Sequence, residues 1–92
     1  MIRRHVIICG NVQGIFFRKF IKDNAQRLGV KGFVRNKDGM VEAVFEGEDE
    51  NVKELVSLCK QGPPGARIEN MEIKDEEYKG EFEDFKIKYI NF

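Results

Sequence analysis

Residues 10–18 read GNVQGIFFR and bring together two glycines, two amide side chains and one arginine. The stretch follows a short apolar run, VIIC (6–9), and leads into a segment with helical spacing of apolar residues. Backbone N–H groups in a glycine-rich turn can converge on an anion, and the first N–H groups of a following helix add to them. The guanidinium of Arg18 offers a planar fork of donors that suits phosphate oxygens. The composition fits a phosphate-binding loop, and it equally fits a tight turn with a surface arginine.

Two other kinds of phosphate chemistry fit the spacing poorly. The Walker pattern is absent, because Gly14 follows Gly10 too closely and neither Lys-Ser nor Lys-Thr comes after it. Cys9 immediately precedes the loop, as a cysteine nucleophile would. Arg18, however, lies nine positions further on, too far for the compact loop of a cysteine phosphatase. We therefore interpret Cys9 as a small apolar residue of a strand.

Metal and serine chemistry also find little support in the sequence. His5 is the only histidine, and no second ligand stands at a recognisable spacing from it. Ser57 is the only serine, and it falls within a predicted helix, which argues against a Ser-His-Asp arrangement. We expect a site that uses neither a metal nor a cofactor.

Alternating elements flank the loop. The Val- and Ile-rich residues 2–9 predict a strand, and the apolar spacing of residues 17–28 predicts a helix that Gly29 ends. Residues 30–36 and 40–47 predict two strands joined by a tight turn, since Asp-Gly between apolar runs is a strong hairpin signal.

The second half of the chain repeats the pattern. Asp49 is a candidate N-cap for a second helix, which Gly62 would end and whose apolar stripe would be Val52, Leu55, Val56 and Cys59. Residues 66–73 predict a strand with a bulge or early break between Ile68 and Met71, where the apolar residues change parity.

The C-terminal residues predict a polar loop followed by a last strand. The loop is predicted over residues 75–81, and the strand over residues 82–90 with Phe85, Ile87 and Tyr89 on one face. The order β-α-β-β-α-β plus a last strand indicates a ferredoxin-like α+β sandwich, with two helices on one face of an antiparallel sheet.

Size and charge limit the function further. The chain has 92 residues, which suits a single domain over 1–92. Lysine plus arginine equals aspartate plus glutamate at 16 each, which argues against a nucleic-acid partner. No apolar run approaches the length of a membrane span, and the N-terminus does not resemble a signal peptide. We expect a cytoplasmic monomer with two reduced cysteines and no membrane partner.

Three segments together resemble one known family. ICGNVQGIFFR (8–18) is similar to the acylphosphatase signature, in which an apolar residue and any residue precede G-x-V-Q-G-V-x-F-R. GFVRN (32–36) with GMVEAVFEG (39–47) resembles the second signature of that family, and GPPGAR (62–67) resembles the usual approach to its fourth strand. The turn after Asn36 is one residue shorter than the family pattern.

The resemblance implies an activity, a fold and a set of site residues. Acylphosphatases hydrolyse acyl phosphates to a carboxylate and phosphate without metal or cofactor, and their fold is the same ferredoxin-like sandwich. By resemblance, Arg18 and Asn36 are catalytic: Arg18 binds the phosphate and Asn36 holds the attacking water. The phosphate-binding residues implied are Asn11, Val12, Gln13, Gly14, Ile15, Phe16, Phe17 and Arg18, with Val12 and Phe17 packing the loop against the core.

This interpretation makes a small acyl phosphate the substrate, with inorganic phosphate or sulfate as a competing anion. Two alternatives belong to other classes. KGFVRN (31–36) resembles the start of an RNA-binding strand, but the next aromatic residue of that motif is missing. A non-catalytic or regulatory phosphate-binding domain, like the segment that begins hydrogenase-maturation carbamoyltransferases, is the second. The absence of a linker or extension before Phe92 favours a free-standing enzyme.

Overall fold

A computed structural model describes residues 1–12 and 14–89, and for Ile15 the main chain alone. Five strands and two helices alternate along the chain. They are β1 (Ile2–Asn11), α1 (Ile15–Arg27), β2 (Lys31–Lys37), β3 (Met40–Gly47), α2 (Asp49–Gln61), β4 (Arg67–Glu76) and β5 (Phe85–Lys88). This is the predicted element order.

The five strands form one sheet in the order β4-β1-β3-β2-β5. Neighbours among the first four strands pair antiparallel, as expected. The expectation of a wholly antiparallel sheet is wrong, because β5 pairs parallel to β2 and makes the sheet mixed. A chain leaving β4 at one edge must cross the sheet to reach β2 at the other, and the direction of that crossing sets the orientation of β5. The fold is the ferredoxin-like α+β sandwich with an added edge strand.

The core lies between the two helices and one face of the sheet. Alternate residues of the central strands are buried on this inner face, including Val6, Ile8, Val41 and Phe45. Phe17, Ile21 and Ala25 of α1 and the predicted stripe of α2 complete the core: Val52, Leu55, Val56 and Cys59. Burial raises the pKa of the Cys59 thiol to about 12, which keeps this thiol protonated and unreactive.

Both helices begin at positions that differ from those predicted. Helix α1 begins at Ile15, two residues before the expected start at Phe17. Glu48, not Asp49, is the N-cap of α2, and Asp49 lies in its first turn, where a carboxylate complements the positive end of the helix dipole. Gly62 ends α2 with a φ of 71°, as predicted.

The predicted irregularity in the fourth strand is a β-bulge beside the loop. Cys9 pairs with Asn70 and Gly10 with Ile68, so Glu69 is the extra residue of β4. The register shift lets inner-face residues on both sides of the bulge face the helices, which accounts for the change of apolar parity in the sequence.

Strand β4 also extends three residues beyond its predicted end. Asp75 and Glu76 were expected in a polar loop, but Arg4 Nε donates to Asp75 at 2.9 Å and Arg3 Nε to Glu76 at 2.9 Å across the β1–β4 pair. These opposite charges allow a polar sequence to continue the strand. Neither α1 nor α2, the helices of the described residues, has the length and apolar content to span a membrane.

Candidate active site

The segment between β1 and α1 is shaped by two glycines with positive φ. Gly10 has a φ of 135° and Gly14 a φ of 93°, values that side chains of other residues disfavour. At Gly10 the neighbouring strand also comes close, because a Cβ there would lie 2.1 Å from the Arg67 carbonyl oxygen. Gly14 is different: apart from its chain neighbours, no described residue lies within 4 Å of the position its Cβ would take. Gly10 therefore allows the close approach of the loop to β4, and Gly14 leaves space at the start of α1.

Helix α1 begins without the capping groups that usually satisfy its first N–H groups. Its N-cap is Gly14, no side chain of the described residues caps it, and no acidic residue lies in its first turn. The first N–H groups of a helix have no partner within the helix and carry its partial positive charge. This helix start therefore has the properties of an anion site.

Arg18 lies in the first turn of α1 and is half-buried. Its Nε is buried and has no hydrogen-bond partner among the described residues. A buried N–H of a charged group without a partner costs about 1–3 kcal/mol or more. The arginine is therefore held in a position where an incoming acceptor would remove that cost.

Asn36 lies near the end of β2 and points into the same layer as α1. The register places Ile8, Val41 and Asn36 in one row across β1, β3 and β2. Residues of one row share a face, and Ile8 and Val41 are both in the core between sheet and helices. Asn36 is thus on the helix side of the sheet, at the end where the loop leaves β1.

The shortened turn after Asn36 preserves this placement. Asp38 and Gly39 have φ values of 52° and 78°, so both central residues are left-handed, which is the type I′ geometry of tight hairpins. Pairing of β2 with β3 continues without interruption to Lys37 and Met40. The two-residue turn therefore leaves Asn36 in regular register opposite Val41.

Asn36 carries a second buried atom without a hydrogen-bond partner in residues 1–12 and 14–89, its Oδ1. The two atoms are complementary: among the described residues, Arg18 Nε lacks an acceptor and Asn36 Oδ1 lacks a donor. An anion can accept from the Arg18 guanidinium, whereas only a group with a hydrogen to donate, such as water, can satisfy an amide oxygen. The orphaned atoms match the division between phosphate and water that the resemblance implies.

The remaining loop residues divide by burial. Val12 and Phe17 are buried in the core, which agrees with the packing role expected of them. Asn11 is exposed at the end of β1, and Phe16 projects into solvent with 80% of its surface exposed. Gln13, which the resemblance places in the phosphate loop, lies outside the described residues. The main chain of Ile15 forms the first residue of α1. Phosphate binding by these residues stays a prediction.

Tyr89 lies next to Arg18 but was not among the site residues predicted from the sequence. Tyr89 was predicted to share one face of the last strand with Phe85 and Ile87, but β5 ends at Lys88 and Tyr89 is 71% exposed. Its ring centroid lies 5.7 Å from Cζ of Arg18, a cation–π distance. The parallel pairing of β5 with β2 brings Tyr89 close to Arg18. The alternation of apolar residues within β5 does not predict which strand β5 pairs with or in which direction.

His5 lies away from the site, on the outer face of the sheet. Its Nε2 is 2.7 Å from an oxygen of Glu42, whose other oxygen accepts from Arg35 Nε at 2.6 Å. Burial opposes ionisation of Glu42, but the hydrogen bonds from His5 and Arg35 outweigh it and hold the pKa of Glu42 below its usual range. Among the described residues no cluster of three or more histidine, cysteine or acidic side chains is placed to hold a metal.

Comparison with known proteins places the chain in a family. The acylphosphatase family model matches residues 4–87. An acylphosphatase of Pyrobaculum aerophilum is 56% identical over 89 residues, covering 95% of this chain and 94% of the relative. An acylphosphatase of Pyrobaculum calidifontis is 53% identical over 89 residues, covering 95% of this chain and 81% of the relative.

The fold agrees with the sequence relationship. The crystal structure of acylphosphatase from Bacillus subtilis superposes with a TM-score of 0.91 at 29% identity, covering 97% of this chain and all of that chain. The family-model match spans both the loop between β1 and α1 and the strand that carries Asn36. The chain belongs to the acylphosphatase family, a family of hydrolases.

Proposed function

We propose that this hydrolase cleaves the carboxyl–phosphate bond of acyl phosphates, with Arg18 and the loop holding the phosphoryl group and Asn36 holding the water. The observation that carries this assignment is a pair of buried atoms, Arg18 Nε and Asn36 Oδ1, that have no hydrogen-bond partner within the described part of the chain and lie at the end of the sheet where α1 begins. Arg18 Nε would donate to the phosphoryl group, and Asn36 Oδ1 would accept from the attacking water.

Binding comes first. The dianionic phosphoryl group lies against the first N–H groups of α1, with the Arg18 guanidinium donating to its oxygens. The Tyr89 ring lies within cation–π distance of the guanidinium, which favours its position beside the loop. These donors are in place before the reaction, so they stabilise charge that grows on the phosphoryl oxygens in the transition state.

Hydrolysis then requires little acid–base chemistry. A water that donates to Asn36 Oδ1 attacks phosphorus, the bond to the acyl oxygen breaks, and the carboxylate leaves with the electron pair. The acyl phosphate dianion and water give a carboxylate and dihydrogen phosphate, so both water protons end on phosphate. A carboxylate is a good leaving group, and positioning with charge stabilisation can supply the remaining catalysis.

We also propose that the domain acts alone, as a cytoplasmic monomer. The single hydrophobic core between the sheet and the two helices supports a domain that folds on its own.

Phosphate release from acetyl and benzoyl phosphate, with a metal chelator present, tests the function. We expect turnover of both substrates and competitive inhibition by inorganic phosphate and sulfate, since loop and arginine recognise the anion. Loss of turnover on chelation, or inhibition that leaves the apparent substrate affinity unchanged, would contradict the proposal.

A further inference from the structure

A cleft borders the phosphate loop on one side. It has a volume of about 270 Å³ and is lined by Asn11 and Phe16 on the loop side and by Pro63, Pro64 and Ala66 on the other. Phe16 and the two prolines give it apolar walls, while Asn11 ends the strand that leads into the loop. The cleft and the phosphate loop therefore share residues.

Its walls are held by the fold. The chain from 63 to 66 is a closed turn, in which the Ala66 N–H donates to the Pro63 carbonyl at 3.1 Å. The buried Phe17 ring packs beneath this turn, since a Cβ at Gly62 would lie 3.5 Å from Phe17 Cε2. Proline also fixes its own φ. A ligand would meet a largely preformed surface.

The sheet order sets the cleft on the side of the loop away from Asn36. At this end of the sheet the strands run β4, β1, β3, β2. Residues 63–66 lead into β4, the neighbour of β1 on one side. Asn36 lies near the end of β2, two strands from β1 on the other side. The attacking water and the leaving group of an in-line displacement lie on opposite sides of phosphorus. A water at Asn36 therefore directs the leaving carboxylate toward the cleft.

We infer that this cleft binds the acyl group of the substrate and that Phe16 makes the chain prefer aromatic or bulky acyl phosphates over acetyl phosphate. The inference rests on the proposed function. Cavities of about 150 Å³ hold a benzene-sized ligand, so the cleft has room for a benzoyl group. An aromatic acyl group can stack on the exposed Phe16 ring, and acetyl cannot.

The test compares kcat/KM for benzoyl phosphate and acetyl phosphate in three variants of the full chain. Phe16→Ala removes the ring, and Ala66→Leu narrows the opposite wall. Tyr78→Ala is the matched control, since Tyr78 is another exposed aromatic residue and lies in a separate cleft with Met1 and Asp75. We expect the ratio of benzoyl to acetyl kcat/KM to fall about tenfold in Phe16→Ala and in Ala66→Leu, and to be unchanged in Tyr78→Ala.

Inorganic phosphate separates an effect on the cleft from an effect on the loop, because it fills the loop and has no acyl group. An inhibition constant for phosphate that rises as much as benzoyl kcat/KM falls would overturn the inference. An unchanged ratio of benzoyl to acetyl kcat/KM in active Phe16→Ala and Ala66→Leu proteins would overturn the inference about the cleft and leave the proposed function standing. A wild-type chain that releases phosphate from neither substrate would remove the proposed function as well.

Discussion

The role proposed for Asn36 differs most from simple anion binding. Its free acceptor, Oδ1, faces no donor among the described residues, and an uncharged acceptor adds nothing to phosphate affinity. We expect Asn36→Ala to lower kcat for benzoyl phosphate roughly hundredfold, because the water loses its orientation. The dissociation constant for phosphate should be nearly intact.

Steady-state kinetics and calorimetric phosphate binding on folded protein check this expectation. Asn36→Asp is a useful companion, since it keeps an acceptor but adds a negative charge that repels the phosphoryl group. An Asn36→Ala protein with full kcat, or with weakened phosphate binding as its main defect, would remove the residue from this role.

Cys9 and His5 lie near the loop in sequence but have other surroundings. Cys9 is a half-buried residue of β1, and His5 contacts Glu42 on the outer face. We expect Cys9→Ser and His5→Gln to keep wild-type kcat/KM for acetyl phosphate. A folded but inactive Cys9→Ser protein would point instead to a covalent intermediate on sulfur.

At the scale of the elements, local patterns were sufficient for most of the fold. The helical stripes of Phe17, Ile21 and Ala25 and of α2, the Asp-Gly hairpin and the parity change in β4 each report a short-range constraint. The bulge could be predicted because a strand that changes parity must shift its register to keep both halves facing the core.

The parts that the sequence did not reveal depend on distant partners. The extension of β4 through Glu76 depends on Arg3 and Arg4, more than seventy positions away. The parallel pairing of β5 depends on how residues 77–84 cross the sheet, and Tyr89 comes close to Arg18 only as a result. Within the site, the resemblance named Arg18 and Asn36, but only the fold shows that each holds an unpartnered buried atom.

The close approach of β4 to Gly10 makes that position the least tolerant in the loop. A methyl group there would meet the Arg67 carbonyl oxygen and the Glu69 nitrogen, at 2.1 Å and 2.8 Å from its carbon. We expect Gly10→Ala to lower the free energy of unfolding by about 3 kcal/mol or more, through the clash added to an unfavourable φ. Denaturant unfolding measures the change.

Gly29 provides the matched control for Gly10. It also has a positive φ, 69°, but nothing lies within 4 Å of its Cβ position. Gly29→Ala should therefore cost only about 1–2 kcal/mol, the penalty of a left-handed conformation without a clash. Equal losses for the two variants would mean that the contact with β4 adds nothing.

At the scale of the whole molecule, the crossover segment, residues 77–84, packs on part of the outer face of the sheet. The Lys79 and Gly80 N–H groups donate to Glu46, which also pairs with Arg3 at 3.2 Å. Phe82 packs edge-on against Phe33, with ring centroids 6.0 Å apart. The buried Glu46 carboxylate thus binds the segment that connects β4 to β5.

This arrangement predicts a loss of stability in acid. Burial of Glu46 opposes its ionisation, but the donors from Lys79, Arg3 and Gly80 outweigh it and hold its pKa below the usual range. The unfolded chain then binds protons more readily than the folded one, so stability rises with pH through this window. The contribution is complete above the unfolded value of about 4.3 and is lost as pH falls through the lowered folded value.

Glu46→Gln tests this contribution. We expect it to lower the free energy of unfolding at pH 7 by about 1–3 kcal/mol and to flatten the fall in stability between neutral and acidic pH. Urea unfolding at a series of pH values gives both quantities. A variant as stable as wild type at pH 7, with the same slope in acid, would show that Glu46 does not fasten the crossover segment.

The rate of phosphate release from benzoyl phosphate by Arg18→Ala, with a chelator present, tests the central claim most directly. If Arg18 and the start of α1 hold the phosphoryl group, kcat/KM should fall about a hundredfold to a thousandfold from the wild-type value. Arg18→Lys should also fall well below wild type, because it keeps the charge and loses the planar fork. A folded Arg18→Ala protein with kcat/KM close to wild type would contradict the claim, since the phosphoryl group would then be held elsewhere.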